Sequence, residues 1–184
     1  MDLTKHIILL DRDGVINQDS DQYVKSAAEF VFLPGSLDAL VALKKAQFSI
    51  YVITNQSGIG RGYFSQHVLA EMHNKLQQAL SPFNVQLDGF YFCPHTPDDH
   101  CDCRKPKPGM LDQLSKAHQL DLTGVPFVGD AKRDLLAAKA AKAQPVLVKT
   151  GKGLKTIKDL DDLPNTPVFE NLLAFSQHVL GEPS

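Results

Sequence analysis

Two aspartates one residue apart, Asp11 and Asp13, give the first chemical signal in the sequence. They follow a run of four apolar residues, 7–10, which is too short for a helix and typical of a buried parallel strand. Gly14 allows the chain to turn directly after them, so both carboxylates are expected at the carboxyl edge of a sheet. Carboxylates in that position can hold a hard divalent ion such as Mg²⁺ beside a nucleophilic oxygen. The alternative is a solvated Asp-Gly turn.

A second group of polar residues begins at Thr54, where the next apolar run ends. Small hydroxyl, amide and glycine residues at a strand end can present hydrogen-bond donors to a phosphate, and Arg61 adds a charged donor. The three glycines between 58 and 62 are spaced G-x-G-x-G, which is not the dinucleotide-binding fingerprint. A flexible loop is the alternative interpretation.

Three cysteines and two histidines lie within eleven consecutive residues. Cys93, His95, Cys101 and Cys103 supply four soft or borderline ligands suited to tetrahedral Zn²⁺, although by count alone His100 could replace His95. The segment has too few apolar residues to fold by burial, so a metal would supply the ordering free energy. Four ligands leave no open position, which predicts a structural zinc. The alternative is a reduced cysteine cluster on the surface.

Basic residues follow this cysteine-rich segment at once. A zinc-bound loop would fix the backbone up to Cys103, and would thereby give Arg104 and Lys105 a defined position from which to meet phosphate oxygens. The alternative is a basic, solvated turn.

Another acidic residue, Asp130, follows a later apolar run, 125–128. An aspartate at a strand end can reach a metal held by the first strand when the two strands are neighbours. Asp134 falls one helical turn later on the same face. The alternative role for Asp130 is that of a helix N-cap.

These residues require a scaffold that brings strand ends together. Short apolar runs alternate with amphipathic stretches, which predicts an α/β fold with a mostly parallel sheet and helices on its faces. Ser36 and Ser65 are predicted to cap the helices that follow them, and His67 and His73 to be solvated. The basic stretch 149–158 lacks the Walker spacing and is predicted to be a solvated loop. Strands are expected at 7–10, 48–54, 88–92, 125–128, 145–148 and near 168.

The length of 184 residues predicts one domain, 1–184, into which the zinc-binding loop 93–103 is inserted. The net charge of -2 gives no electrostatic footprint for nucleic acid or an anionic membrane, so a small molecule is the expected partner. No apolar stretch is long enough to span a bilayer, and the first residues lack the form of a signal peptide. We therefore expect a cytoplasmic protein, and we expect it to be a monomer.

The stretch Asp11-Arg12-Asp13-Gly14-Val15-Ile16-Asn17 resembles the first motif of the haloacid dehalogenase-like phosphatases. The form is that of the heptose bisphosphate phosphatases and the related histidinol-phosphate phosphatases. Thr54-Asn55-Gln56-Ser57-Gly58 is similar to the second motif of the family, Lys105 to the third and Asp130 to the fourth. The resemblance implies a three-layer, Rossmann-like fold without a large cap domain, and a short flap over the site at residues 18–30.

The resemblance also implies roles for the motif residues. Asp11 would be the nucleophile, and Asp13 the general acid and base, for which we expect anionic surroundings to raise its pKa. Mg²⁺ would be held by Asp11, the main-chain carbonyl of Asp13 and Asp130, with Asp134 as a supporting acid. Thr54 and Lys105 would hold the phosphoryl group.

The family comparison assigns further ligands. The order C-P-H at the start of the zinc loop favours His95 as the fourth zinc ligand. Ala131 stands where related enzymes often carry a lysine, so no substrate contact is assigned to Lys132. The residues expected to bind substrate are Asn17, Asp19, Asn55, Gln56, Ser57, Arg61 and Arg104.

The function implied is that of a phosphomonoester hydrolase with an aspartyl-phosphate intermediate. The zinc loop most resembles that of enzymes that remove the 7-phosphate of D-glycero-D-manno-heptose 1,7-bisphosphate, in the synthesis of nucleotide-activated heptose for lipopolysaccharide. The nearest alternative is a histidinol-phosphate phosphatase. A non-catalytic, zinc-containing binding module is an alternative of another class, and it has no use for Asp11, Thr54 and Lys105 together.

Overall fold

The computed structural model describes residues 6–181 and contains one six-stranded sheet. All strands are parallel, in the order β3-β2-β1-β4-β5-β6. The strands are β1 (Ile7–Leu10), β2 (Ser49–Asn55), β3 (Gly89–Cys93), β4 (Pro126–Gly129), β5 (Gln144–Val148) and β6 (Val168–Phe169). The predicted parallel sheet is therefore confirmed, with each strand within one residue or so of the expected position.

Seven α-helices connect or flank these strands in the described range. They are α1 (Ser36–Lys45), α2 (Ser57–Gly60), α3 (Gln66–Leu80), α4 (Gly109–His118), α5 (Lys132–Ala140), α6 (Gly153–Thr156) and α7 (Leu172–Leu180). Among residues 6–181, no helix is both long and apolar enough to cross a bilayer.

Side chains of the central strand alternate between the two faces of the sheet. Ile8 and Leu10 pack into a core with α1, α3 and α7, whereas Ile7 and Leu9 pack into a second core with α4 and α5. The fold has three layers, as predicted. The longest connection, residues 11–35, contains only turns and isolated bridges, so no cap subdomain lies within the described chain.

Three local predictions are wrong. Ser36 is the first residue of α1 and caps nothing, because Gly35 precedes it in the left-handed region with φ of 76°. His73 is buried and stacks on Phe90 with 4.2 Å between ring centroids, because it lies on the inward face of α3. The stretch 149–158 contains α6 and is not simply a solvated loop. The predicted cap at Ser65 is confirmed, since its side chain accepts a hydrogen bond from the main chain of α3.

Candidate active site

The sheet order explains how residues far apart in sequence meet. β1 lies between β2 and β4, and all three strands run in the same direction. The residues at their carboxyl ends, Asp11, Thr54 and Asp130, therefore share one edge of the sheet. The main-chain N–H of Asp11 donates to the carbonyl of Val128 at 2.8 Å, which ties the first acidic turn to β4.

Three buried carboxylates, those of Asp11, Asp130 and Asp134, form a cluster at this edge. One oxygen from each lies within 4.8 Å of the others. The Lys105 ammonium is also buried, 2.9 Å from Asp11 Oδ1 and 2.8 Å from Asp134 Oδ1. Asp134, expected only to support the site, thus contributes to the cluster directly.

The electrostatics of this cluster favour a bound cation. Burial and the neighbouring Asp134 raise the pKa of Asp11 to about 6, even though Lys105 acts in the opposite direction. Burial, Asp134 and Asp11 raise the pKa of Asp130 to about 8. Asp130 Oδ1 is buried and has no hydrogen-bond partner within the described residues. Hard oxygen ligands with surplus negative charge fit Mg²⁺, which would replace the missing interactions.

The Asp13 side chain faces different surroundings. Its Oδ1 and Oδ2 lie 2.9 and 3.0 Å from Arg12 Nη2, and they accept hydrogen bonds from Asn17 Nδ2 and Gln56 Nε2, each at 2.8 Å. Burial alone would raise the pKa of Asp13, but the Arg12 guanidinium and these donors bring it below its ordinary value. The expectation of a raised pKa is wrong, because the neighbours of this carboxyl are donors and a cation.

The end of β2 contributes a hydroxyl and two amides. Gln56 Nε2 donates to Thr54 Oγ1 at 2.8 Å, so the proton of the buried Thr54 hydroxyl stays available for a hydrogen bond to another acceptor. Asn55 forms a pair of 3.1 Å hydrogen bonds with the main-chain N–H and carbonyl of Lys105. Lys105 Nζ also donates to the Ile53 carbonyl at 2.8 Å. Asn55 thus holds the backbone of Lys105 in place.

A cleft of ≈ 200 Å³ opens above these groups. Most of the predicted site residues line it, and they share polar or charged side chains: Asp11, Asp13, Asp19, Thr54, Asn55, Gln56, Ser57 and Arg104. Lys105 and Asp130 lie beneath it, in contact with the carboxylate cluster. The flap, residues 18–30, forms one wall through Asp19, Asp21 and Tyr23.

Two residues expected to bind substrate lie elsewhere. Asn17 is buried and does not line the cleft, because its amide donates to Asp13 and to the carbonyl of Gln18. Arg61 is exposed at the end of α2 and does not line the cleft. The short helix turns this arginine away from the strand end on which the prediction placed it.

Two cations in the cleft were not predicted. Lys152 Nζ lies 2.6 Å from Asp19 Oδ2, and the Lys152 N–H donates to Asp130 Oδ2 at 2.7 Å. Arg133, next to Asp134 on α5, also lines the cleft. Both residues come shortly after the ends of sheet strands, and that position was the available signal for them.

The predicted zinc ligands converge at the end of β3. The three cysteine sulfurs lie 3.2–3.6 Å apart, and His95 Nδ1 is 3.5 Å from Cys93 Sγ and 3.3 Å from Cys103 Sγ. Tetrahedral zinc with ordinary bond lengths would place its ligands about 3.6–3.8 Å apart, so movements of a few tenths of an ångström would let these four atoms bind one ion. His100 is exposed and outside the cluster. The cluster can therefore hold zinc with His95 as the fourth ligand.

The cluster of three cysteines and His95 is connected to the cleft by the chain that follows it. Arg104 Nη1 donates to the carbonyl of His95 at 3.2 Å and also lines the cleft. Lys105 is the next residue and reaches the carboxylate cluster. Ordering of the loop therefore fixes two cations of the site.

Comparison with known proteins places this site in a family. A model of HAD-hydrolase-like proteins matches residues 102–175. D-glycero-β-D-manno-heptose-1,7-bisphosphate 7-phosphatase of Pseudomonas putida is 48% identical over 175 residues, which cover 95% of this chain and 99% of the relative.

Solved structures agree with the sequence comparison. The crystal structure of D,D-heptose 1,7-bisphosphate phosphatase from Bordetella bronchiseptica, complexed with magnesium and phosphate, matches with a TM-score of 0.93 at 46% identity. The match covers 96% of this chain and 99% of that one. The enzyme from Burkholderia thailandensis matches with a TM-score of 0.74 at 36% identity, with 96% and 99% covered. This chain belongs to the D-glycero-β-D-manno-heptose-1,7-bisphosphate 7-phosphatase family of haloacid dehalogenase-like hydrolases.

Proposed function

We propose that this protein is a Mg²⁺-dependent phosphatase that removes the 7-phosphate of D-glycero-D-manno-heptose 1,7-bisphosphate. The observation that carries the proposal is the convergence of Asp11, Asp130, Asp134 and Lys105 below a polar cleft. Such a set of carboxylates and a cation serves phosphoryl transfer, in which charge must be neutralised while a nucleophile attacks. Relatives up to 48% identical carry the name of this activity.

The proposed metal ligands belong to the acidic turn after β1 and to the end of β4. Asp11, Asp130 and the main-chain carbonyl of Asp13 would hold Mg²⁺. When bound, the ion neutralises phosphate charge and lets the Asp11 carboxylate approach phosphorus. Lys105 pairs with Asp11 and Asp134 and supplies positive charge for the phosphoryl oxygens, and the Thr54 hydroxyl donates to one of them.

The reaction then proceeds in two steps. An oxygen of Asp11 attacks phosphorus, the bond from phosphorus to the sugar oxygen breaks, and Asp13 gives a proton to that oxygen. Because Arg12 and two amides lower the pKa of Asp13 in the free protein, this step requires the negative charge of the bound phosphate to favour the protonated carboxyl group. In the second step, Asp13 accepts a proton from a water molecule whose oxygen attacks the aspartyl-phosphate. Phosphate leaves and Asp11 is restored.

Substrate recognition would come from the walls of the cleft, because no cap covers it. Arg104 on the zinc loop, and Asp19 on the flap, face the space where the leaving sugar would lie. We propose that Cys93, His95, Cys101 and Cys103 hold a structural zinc that orders Arg104. Their separations support this proposal.

The test is phosphate release from D-glycero-D-manno-heptose 1,7-bisphosphate and from histidinol phosphate, with Mg²⁺ and with EDTA. We expect a preference for the heptose and a loss of activity in EDTA. Asp11→Asn should lower kcat by at least about 10³-fold, because it removes the nucleophile. Asp112→Asn, on the exposed face of α4, is the matched control. A preference for histidinol phosphate would reject the proposed substrate, and an active Asp11→Asn variant would reject the mechanism.

A further inference from the structure

Arg12 lies between the two motif aspartates but is fully buried and does not line the cleft. Its Nη1 is 3.6 Å from the Met72 sulfur, and its guanidinium carbon is 5.3 Å from the centre of the Phe30 ring. Asp13 is the only carboxylate in the described chain within salt-bridge distance of it. A buried guanidinium is costly unless it is paired, so its place in the fold depends on Asp13.

Arg12 and two amides hold the Asp13 carboxylate from three sides. Arg12 Nη2 contacts both oxygens, at 2.9 and 3.0 Å. Asn17 donates to Oδ1 from the turn that follows, and Gln56 donates to Oδ2 from the end of β2. Because the partners approach from separate segments, rotation of the carboxyl group would break at least one of these contacts.

We propose that Arg12 is a positioning residue that orients Asp13 for proton transfer to the leaving oxygen of the substrate. The inference rests on the proposed function, in which Asp13 is the general acid. When the bond from phosphorus to the sugar oxygen breaks, the electron pair stays on that oxygen and the Asp13 proton moves onto it. The carboxylate that remains is paired with Arg12 and ready to accept a proton from water. Arg12 would not contact the substrate directly, because its side chain is buried outside the cleft.

The experiment compares two substrates that differ in their need for a proton. The sugar alkoxide of the heptose bisphosphate must be protonated as it leaves, whereas 4-nitrophenolate leaves 4-nitrophenyl phosphate as a stable anion. The measured quantity is kcat/KM, which includes steps only up to formation of the aspartyl-phosphate. Arg12→Met should lower kcat/KM for the heptose at least tenfold more than for 4-nitrophenyl phosphate. Arg12→Lys should show a smaller difference between the two substrates than Arg12→Met, because an ammonium can still pair with Asp13.

Two controls separate positioning from a general structural effect. Met72 contacts Arg12 and is not one of the partners of Asp13. Met72→Leu should therefore leave the ratio of the two kcat/KM values unchanged. In an Asp13→Asn background, Arg12→Lys should not change that ratio further. Equal losses on both substrates in Arg12→Met, or a further change in the Asp13→Asn background, would overturn the inference.

A second set of variants covers the case in which Arg12→Met does not fold, as judged by circular dichroism and zinc content. Asn17→Ala and Gln56→Ala each remove one partner of Asp13 and leave Arg12 in place. Combined with Arg12→Lys, each should enlarge the difference between substrates, and an unchanged ratio would contradict the inference. If the wild type hydrolyses another alkyl phosphate but not the heptose, the proposed function fails, while the same ratio measured on that substrate still tests Arg12.

Discussion

The backbone at two glycines, Gly14 and Gly151, lies very close to the Asp130 side chain. Gly14 and Gly151 both lie in the left-handed region, with φ of 83° and 57°. A Cβ atom on either would collide with the Asp130 carboxylate. The Lys152 N–H, one residue after Gly151, donates to the same carboxylate. Glycine at both positions thus allows two loops to enclose the proposed metal ligand.

Replacement of Gly14 tests this packing. Gly14→Ala should displace Asp130, lower the affinity for Mg²⁺, and reduce stability by roughly 1–3 kcal/mol, because steric overlap adds to backbone strain. Gly62→Ala is the control, since Gly62 has a φ of 74° but open space around its Cβ position. Calorimetric Mg²⁺ titration and thermal unfolding would measure both effects. Equal Mg²⁺ affinity in the two variants would contradict the role assigned to Gly14.

At the scale of elements, the loop between β3 and α4 has few apolar residues but carries two cations of the site. The proposed zinc ligands are Cys93, His95, Cys101 and Cys103, and Arg104 and Lys105 follow the last of them. Burial raises the pKa of the Cys93 thiol to about 12, as do its contacts with the other cysteines, so a cation is needed to make it a thiolate. Metal binding and order of the loop are therefore expected to be coupled.

Cys101→Ser should reduce zinc to well below one ion per chain. The value of kcat/KM should fall more than tenfold, because Arg104 and Lys105 lose their fixed positions. Atomic absorption and phosphate release measure the two outcomes. His100→Ala, in the same loop but outside the ligand cluster, should retain zinc and activity. A zinc-free Cys101→Ser protein with full activity would show that the loop is ordered without metal.

At the scale of the whole molecule, the buried acids connect stability to pH. Asp11 and Asp130 have pKa values of about 6 and about 8 in the folded protein, against an ordinary value of 3.8. Between pH 3.8 and 8 these two carboxyl groups bind more protons in the folded state than in the unfolded state, so they make stability fall as pH rises. Buried His73, whose pKa is lowered from 6.5 to about 3, acts in the opposite direction below pH 6.5 and offsets only part of this effect. The lowered pKa values of Asp13 and Asp134 act below this window, where stability falls as pH decreases.

Thermal unfolding of zinc-loaded protein without Mg²⁺ should therefore give a Tm that decreases from pH 5 to pH 8. Added Mg²⁺ should raise Tm more at pH 8 than at pH 5, because metal binding requires ionised carboxylates. Asp130→Asn should flatten the pH dependence measured without Mg²⁺. The same Mg²⁺ effect at both pH values would contradict the assignment of this cluster as the metal site.

The sequence by itself determined the features of this protein that depend on residues close together in the chain. The apolar run 7–10 followed by two acids specified a buried strand and its polar end. Four consecutive apolar side chains favour burial on both faces of a sheet, whatever the strand's position in that sheet. The spacing of the cysteines indicated a candidate zinc site, but by count it left His95 and His100 open, and the structure places His95 in the cluster with the three cysteines. Alternation of strands and helices specified the parallel sheet, and the second and fourth motifs marked the strand ends that meet Asp11.

Only the tertiary structure decided which polar groups pair. Asp13 contacts Gln56, 43 residues away, and Asp130 contacts Lys152, 22 residues away, and no local pattern encodes either contact. The same long-range packing buried His73. It also surrounded Asp13 with donors, so the pKa moved in the direction opposite to the expected one. The physical reason is that a side chain's charge state depends on the neighbours that packing supplies, and sequence spacing specifies those neighbours only within one turn or one strand end.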